Sequence, residues 1–145
     1  ARRQERELRA WLYGTEVQQA TLGATLASDV QEVEDEFDVD IELVTVGDVA
    51  MTPRIGELAK AAREAMVNAA KHSGAATVDV YAEVDKASIG VFVRDRGRGF
   101  DPNTVGDDRL GVSKSIMERM ERHGGRARVR SAPGEGTEVA LEMST

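Results

Sequence analysis

The sequence of 145 residues predicts a two-layer α/β sandwich, in which helices cover one face of a mixed, mostly antiparallel sheet. Two observations predict this fold class. Amphipathic helical segments and short strand segments follow one another along the chain. Two pairs of strands are joined by short turns, which require antiparallel pairing, whereas a helical connection allows parallel pairing. The hydrophobic fraction of 41% and the charged fraction of 31% suit one globular domain.

Composition and charge exclude several classes of function. The chain has no cysteine, which excludes disulfides and thiolate metal sites. No apolar run reaches the roughly 18 residues of a membrane span, and the first residues, ARRQERELRA, are not a signal peptide. We therefore expect no direct membrane contact. The net charge of -7 argues against nucleic-acid binding, and it means that any bound polyphosphate is held by local groups.

The first half of the chain predicts three helical segments and one strand. Leu8, Trp11 and Leu12 have helical spacing and stop at Gly14, which indicates the end of a helix. The next helix carries an apolar stripe of Leu22, Leu26, Val30, Val33 and Phe37. A strand, VDIELVTV, ends at Gly47. A long helix opens at Pro53, a favoured first helical residue, and closes at Gly74.

The second half predicts four strands and one helix. TVDVYAEV and ASIGVFVRD form two strands around a turn at Asp85–Lys86. The glycine-rich segment 96–111 is a loop. The helix GVSKSIMERMERH begins at Gly111 and is closed by Gly124 and Gly125. The last two strands, RARVRSA and TEVALEM, are linked by the turn PGEG.

The long helix carries a polar set suited to a magnesium nucleotide. Glu64, Asn68 and Lys71 share one face, with His72 at its edge. An amide oxygen is a hard ligand for Mg²⁺, which also takes phosphate oxygens, and the lysine charge suits phosphate. The glutamate can orient water or accept a proton. Taken alone, a solvated polar face explains this pattern more simply.

A strand end and two glycines form the second candidate set. The Asp95 carboxylate can accept a hydrogen bond from an exocyclic amine such as that of adenine. Gly97 and Gly99 would let the backbone approach a ligand closely. A turn capped by aspartate is an equally good interpretation. The segment is not a dinucleotide-binding fingerprint, because Pro102 replaces the third glycine.

Two further glycine motifs follow. Gly111 is predicted at a helix N-terminus, where unpaired amides favour anions, and Ser113 or Lys114 can assist there. GEGT places Thr137 before the last strand, where its hydroxyl can reach an adenine. Each motif is weak alone, since a helix start and a hairpin turn explain them as well.

In this order, the four motifs resemble the Bergerat (GHKL) ATP-binding fold of histidine kinases, gyrase, the ninety-kilodalton heat-shock chaperone and mismatch-repair ATPases. The resemblance spans about residues 20–143. NAAKHS and the short lid between Phe100 and Gly111 resemble the kinase branch that partners NarL/LuxR-type response regulators. QERELRAWLYG resembles the end of that branch's dimerisation domain. We therefore expect residues 1–14 to be a remnant of the dimerisation and phosphotransfer helix, and residues 15–145 to be the catalytic domain.

The resemblance implies ATP and Mg²⁺ as ligands and a role for each site residue. Asn68 would bind the metal, and Glu64 would be the acid of the asparagine box. The phosphates, base and lid would be contacted by Lys71, His72, Asp95, Gly97, Gly99, Gly111, Val112 and Thr137. The sequence departs from the family pattern at Ser115–Ile116, where Gly-Met is usual, and at Arg96 and Arg98, where small or acidic residues are common.

The implied function is transfer of the ATP γ-phosphoryl group to a histidine upstream of Ala1, for relay to a response regulator. The piece would be monomeric and cytoplasmic, and its parent would be a homodimer, whether or not the parent is anchored to a membrane. One alternative is an anti-sigma-factor serine kinase, which the helix around Trp11 disfavours. The other is a nucleotide-binding module without catalysis, which Glu64 and Asn68 disfavour.

Overall fold

A computed structural model describes residues 20–103 and 108–145, so the predicted helix end at residues 1–14 lies outside the described residues. The described part contains three helices and five strands. The helices are α1 (Leu22–Phe37), α2 (Pro53–His72) and α3 (Asp108–Arg122). The strands are β1 (Asp40–Val46), β2 (Thr77–Val84), β3 (Ser88–Asp95), β4 (Arg126–Ser131) and β5 (Thr137–Ser144). None of these helices has the length and apolarity needed to cross a bilayer.

The strands form one sheet in the order β1-β2-β3-β5-β4. β1 and β2 pair in parallel across the α2 crossover, and the other three pairs are antiparallel. This arrangement confirms the predicted mixed, mostly antiparallel sheet.

The helices cover one face of the sheet. Side chains of β2 alternate, with Val78, Val80 and Ala82 buried and the residues between them exposed or nearly so. The buried side chains share a core with Leu58 and Met66 of α2. Successive side chains of a strand point to opposite faces, so the exposed side chains of β2 face away from the helices. The two-layer prediction is therefore confirmed.

Side-chain caps fix where α1 and α2 begin. Thr21 accepts a hydrogen bond from the Ala24 N–H at 3.1 Å, and Thr52 accepts one from the Ile55 N–H at 3.2 Å. Each threonine pairs one of the amides that a helix start leaves without a partner. Pro53 occupies the first turn of α2, as predicted.

The predicted start of α3 was wrong by three residues. α3 begins at Asp108, and Gly111 is its fourth residue. A glycine inside a helix costs only about 1 kcal/mol relative to alanine. Burial of Ile116 and Met120, which are 1% and 0% exposed, contributes more than that. Packing of the apolar stripe therefore carries the helix through the glycine.

The C-terminus of α3 ends at the predicted glycines. Gly124 has a φ of 80°, the left-handed region that suits glycine. The Gly125 N–H donates to the Met120 carbonyl at 2.8 Å, and the Gly124 N–H donates to the Glu121 carbonyl at 3.2 Å. These two bonds form a Schellman motif, which turns the chain into β4.

Candidate functional site

Three polar side chains stand in one row at the end of the sheet. Asp95, the last residue of β3, pairs with Thr137, the first residue of β5, and Thr137 pairs with Ser131 at the end of β4. Asp95 is 5% exposed and Thr137 is 8% exposed. The antiparallel ladder thus places the predicted carboxylate and the predicted hydroxyl side by side.

The Asp95 carboxylate also shapes the loop that follows it. Its Oδ1 accepts a hydrogen bond from the Gly97 N–H at 2.9 Å, two residues along the chain. This turn is built from the side chain of an aspartate, as expected for an aspartate that ends a strand. The carboxylate is thereby held at a fixed orientation.

Ser131 joins residues 96–100, which we call the glycine loop, to the turn before β5. Its Oγ accepts a hydrogen bond from the Phe100 N–H at 2.9 Å and donates to the Gly136 carbonyl at 3.0 Å. The same oxygen lies 2.8 Å from the Thr137 hydroxyl oxygen. Sequence reasoning missed this residue. Its position opposite Thr137 in the predicted final hairpin was the one available signal.

Gly97 and Gly99 let the backbone of their loop approach other backbone. Their predicted role, close approach of the backbone to a ligand, stays a prediction. A Cβ on Gly97 would lie 2.1 Å from the Ser73 carbonyl oxygen, and one on Gly99 would lie 2.1 Å from that of Ala132. Gly136 is equally confined, because a Cβ there would lie 2.2 Å from the Asp95 carbonyl oxygen. Any side chain at these positions would force the loop away from its neighbours.

The glycine loop is tied to the end of α2 and to the last turn of the sheet. The Arg98 N–H donates to the Ser73 carbonyl at 2.8 Å, and the Gly134 N–H donates to the Arg98 carbonyl at 2.7 Å. Ser73 caps α2, so these bonds connect the helix that carries Asn68 to the loop that follows Asp95. Two of the predicted site segments therefore meet at one backbone joint, which we call the Ser73 joint.

Asn68 has the feature expected of a metal ligand. Its Oδ1 is buried and has no hydrogen-bond partner in the described part of the protein. A buried amide oxygen without a donor is costly, because it has lost its hydrogen bonds to water. An amide oxygen is also a hard donor of the kind that Mg²⁺ accepts. This side chain therefore fits a cation or donor brought by a ligand.

A metal at this place would have few protein ligands. Residues 20–103 and 108–145 contain no group of three or more histidine, aspartate or glutamate side chains able to hold a metal ion. Mg²⁺ commonly takes one or two protein ligands and completes its shell with phosphate oxygens and water. The donor set thus suits magnesium carried by a nucleotide better than a metal held by protein alone.

Lys71 and His72 lie at the end of α2, where cations are favoured by the helix dipole. The Lys71 Nζ lies 5.8 Å from the centroid of the Phe37 ring, so the ammonium group packs against the end of α1. This position is compatible with a cation–π contact. Glu64 and His72 are both half-buried on the same helix.

The start of α3 carries the remaining predicted residues. Gly111 is exposed, and a Cβ there would meet nothing within 4 Å. Val112 packs against the core. At the position where the sequence departs from Gly-Met, Ser115 is exposed and Ile116 is buried in the core. The departure therefore keeps an apolar residue at the buried position.

A salt-bridge network fixes α3 against α2. The Arg119 guanidinium donates to Glu57 Oε2 at 2.8 Å, and His123 Nε2 lies 3.8 Å from Glu57 Oε1. The hydrogen bond from Arg119 is the main cause that lowers the pKa of Glu57 below its ordinary value of 4.5. His123 thus lies beside the ion pair of Glu57 and Arg119 that joins the two helices.

The sequence of residues 55–145 matches the family described as histidine kinase-, DNA gyrase B- and HSP90-like ATPase. Among named relatives, the chain is 30% identical over 126 residues to the sensor histidine kinase LiaS of Bacillus subtilis strain 168. That match covers 83% of this chain and 34% of LiaS.

A second relative is the signal transduction histidine-protein kinase/phosphatase DegS of Brevibacillus brevis. It is 26% identical over 121 residues, and the match covers 82% of this chain and 31% of DegS. The chain therefore spans about a third of the length of these relatives.

Solved structures support the same fold. The mycobacterial sensor histidine kinase MprB superposes with a TM-score of 0.66 at 19% identity, over 86% of this chain and 95% of that one. The ATP-binding domain of PrrB from Mycobacterium tuberculosis gives a TM-score of 0.65 at 21% identity, over 87% and 96% of the two chains.

Proposed function

Because the chain belongs to the histidine kinase-, DNA gyrase B- and HSP90-like ATPases, we propose that it is the ATP-binding catalytic domain of a sensor histidine kinase. Its parent would transfer the γ-phosphoryl group of ATP to a histidine on a dimerisation and phosphotransfer domain. The observation that carries the proposal is the buried Asn68 Oδ1, which has no hydrogen-bond partner among the residues that the structure describes. It lies on the helix whose cap is bonded to the glycine loop.

The adenine would be recognised at the end of the sheet. The Asp95 carboxylate accepts a hydrogen bond from the exocyclic amine, and the Thr137 hydroxyl lies beside the base. Their direct pairing across β3 and β5 supports this assignment, because it places both side chains on one buried surface. Gly97 and Gly99 hold the loop that forms the wall of this pocket.

The phosphates would lie toward α2 and the start of α3. Asn68 would hold Mg²⁺ together with phosphate oxygens, and the ion, when bound, neutralises part of their charge. Lys71 and His72 supply positive charge at one side, and the backbone of Gly111 and Val112 contacts the phosphates at the lid. These local groups act against the chain's net charge of -7.

Phosphoryl transfer needs positioning and charge neutralisation more than covalent participation by the protein. Glu64 precedes Asn68 by one helical turn on α2. There it orients the incoming imidazole or takes its proton. Lys71 stabilises the charge on the transferred group.

The partners follow from this reaction. The acceptor histidine lies on a dimerisation domain that makes the parent a homodimer, and the phosphoryl group then passes to a response regulator of the NarL/LuxR type. The domain works in the cytoplasm, whether or not its parent is anchored to a membrane. The named sensor kinase relatives support these roles.

The test combines the chain with a matching dimerisation domain and γ-labelled ATP. Label that is stable in base and labile in acid indicates phosphohistidine and supports the proposal. Label on a serine of an added regulator would point to a serine kinase, and ATP binding without any transfer would point to a binding module. Asn68→Ala serves as the control, because it should remove magnesium-dependent labelling while the protein stays folded.

A further inference from the structure

We propose that Ser131 is a positioning residue that holds the Thr137 hydroxyl as a hydrogen-bond acceptor and so helps the site choose adenine. The inference rests on the proposed function and concerns the same base pocket. The Ser131 hydroxyl lies within hydrogen-bond distance of Phe100, Gly136 and Thr137.

The numbers of protons and lone pairs on the Ser131 hydroxyl limit the directions that these hydrogen bonds can take. A serine hydroxyl has one proton to donate and two lone pairs that accept. The Phe100 N–H already uses one lone pair of Ser131. The proton can go to the Gly136 carbonyl, at 3.0 Å, or to the Thr137 hydroxyl, at 2.8 Å.

Burial favours the carbonyl of Gly136 as the acceptor. Gly136 is buried, and a buried carbonyl that loses its donor costs about 1–3 kcal/mol. A hydroxyl, in contrast, can rotate and become the donor itself. The arrangement that satisfies every group has Ser131 donating to Gly136 and Thr137 donating to Ser131.

This arrangement uses the only proton of the Thr137 hydroxyl. What Thr137 presents to a ligand is therefore lone pairs, which accept from an amine and repel a carbonyl oxygen. Adenine carries an amine at its six position, whereas hypoxanthine and guanine carry a carbonyl there. Asp95, on the neighbouring strand, is an acceptor as well. Ser131 thus makes the Thr137 hydroxyl a hydrogen-bond acceptor toward the base, as the Asp95 carboxylate is.

The experiment compares the affinities for ATP and inosine triphosphate, which differ at that position, by calorimetry. In Ser131→Ala, the Thr137 hydroxyl is free to turn and donate, so the preference for ATP should fall about fivefold, the value of one ordinary hydrogen bond. Ser131→Thr keeps the hydroxyl and should keep the preference. Ser28→Ala, at an exposed position on α1, is the matched control.

A double-mutant cycle shows whether Ser131 acts through Thr137. Thr137→Val removes the hydroxyl with little change of shape, and Ser131→Ala should then lower the ATP preference no further. An equal fall in both backgrounds, or an unchanged preference in Ser131→Ala, would overturn the proposal. If Ser131→Ala does not fold, Ser131→Cys takes its place, since a thiol is a weak donor and acceptor.

Hydrogen exchange gives a readout that needs no nucleotide. The Phe100 amide should exchange about fivefold faster in Ser131→Ala, because it loses its acceptor, while the amides of α1 stay unchanged. Protection of Phe100 that is the same in both proteins would refute the contact. If the unmutated protein bound no ATP at all, the proposed function would fail, and the exchange result would still decide whether Ser131 holds the loop.

Discussion

Asp95 and Thr137 face each other across the β3–β5 ladder, and both are almost completely removed from solvent. One side chain is a carboxylate and the other a hydroxyl, and they come from strands that are distant in sequence. Removal of water strengthens the hydrogen bonds that such groups make with a ligand, and it raises the penalty for a ligand that leaves them unpaired. The pair therefore suits discrimination between bases that differ by one amine.

Asp95→Asn should weaken ATP binding about tenfold or more and reduce the preference for ATP over GTP. The substitution preserves an oxygen for the Gly97 N–H but replaces a carboxylate oxygen by an N–H donor, which opposes the amine of adenine. Hydrogen bonds to charged groups contribute roughly 1.5–3 kcal/mol, which sets the size of the effect. Calorimetry with both nucleotides measures it. Asp79→Asn, exposed on the other face of β2, is the control, and equal affinity of the unmutated protein for both nucleotides would refute the adenine assignment.

Asn68→Ala should abolish the magnesium dependence of ATP binding and leave the stability unchanged or slightly raised. The substitution removes a buried oxygen that has no hydrogen-bond partner in the described structure, so no hydrogen bond to this oxygen is lost. The free energy of unfolding should change by less than about 1 kcal/mol. Titration with ATP in magnesium and in chelator measures the first effect, and urea unfolding measures the second. Magnesium dependence that survives the substitution would remove Asn68 from the site.

Gly97→Ala should destabilise the protein by about 2 kcal/mol or more, because its Cβ would collide with the Ser73 carbonyl oxygen at 2.1 Å. A backbone atom cannot move aside as a flexible side chain can, so the loop itself must shift. Urea unfolding measures the loss. Gly56→Ala, on α2, is a suitable comparison, since the nearest atom to its Cβ would be a methionine methyl at 3.9 Å. A stable Gly97→Ala variant would show that the loop is not confined in this way.

Gly111→Ala should raise the stability of the protein and weaken ATP binding. The residue lies inside α3 with open space around it, so alanine should raise the free energy of unfolding by roughly 0.5–1 kcal/mol. If the phosphates approach the backbone here, as proposed, the added methyl group should weaken ATP binding several-fold. Unfolding and calorimetry on the same sample give both numbers. Unchanged affinity in a stabilised variant would place the phosphates elsewhere.

Glu57→Gln should make stability less dependent on pH. Arg119 lowers the pKa of Glu57 below 4.5, so the ionised form contributes stability above that pH and loses it as the pH falls through the lowered pKa. The glutamine variant lacks this pH-dependent contribution to stability. It should be less stable than the unmutated protein near pH 7, and the difference should shrink below about pH 4.5.

Urea unfolding over the same pH range checks the Glu57 prediction. Glu118→Gln, which is exposed on α3, controls for the loss of one negative charge. A gap between the unmutated and Glu57→Gln proteins that is constant with pH would show that the Arg119 contact does not involve the ionised carboxylate.

Local sequence patterns predicted most of the helices and strands, because side-chain alternation and helix-start residues act within a single segment. The alternation in TVDVYAEV and the proline before the long helix each fixed an element that the structure confirms. The start of α3 was misplaced because the glycine-rich segment 96–111 was interpreted as a loop, whereas the helix begins at Asp108 and buries Ile116 in the core. This packing is a tertiary contact with residues from other elements, and the sequence of one segment does not reveal it.

The sequence indicates candidate site residues but not the contacts that surround them. The spacing of Glu64, Asn68 and Lys71 is visible in the sequence, yet the Phe37 ring under the lysine belongs to another helix. The Ser131 hydroxyl accepts a hydrogen bond from an amide 31 positions away, so no local pattern could indicate this bond. The reason for a glycine at position 97 is likewise a carbonyl from the end of α2.

The Ser73 joint fixes the spacing between the two halves of the candidate site. The carbonyl of one helix cap accepts a backbone N–H from the glycine loop, so main chain and not flexible side chains sets how far Asn68 lies from Asp95. For a ligand that spans both ends, engagement of one end presents the other at high effective concentration. Adenosine alone, or magnesium pyrophosphate alone, would meet only half of this arrangement. Each fragment should therefore bind far more weakly than the molecule that joins the two at the right length.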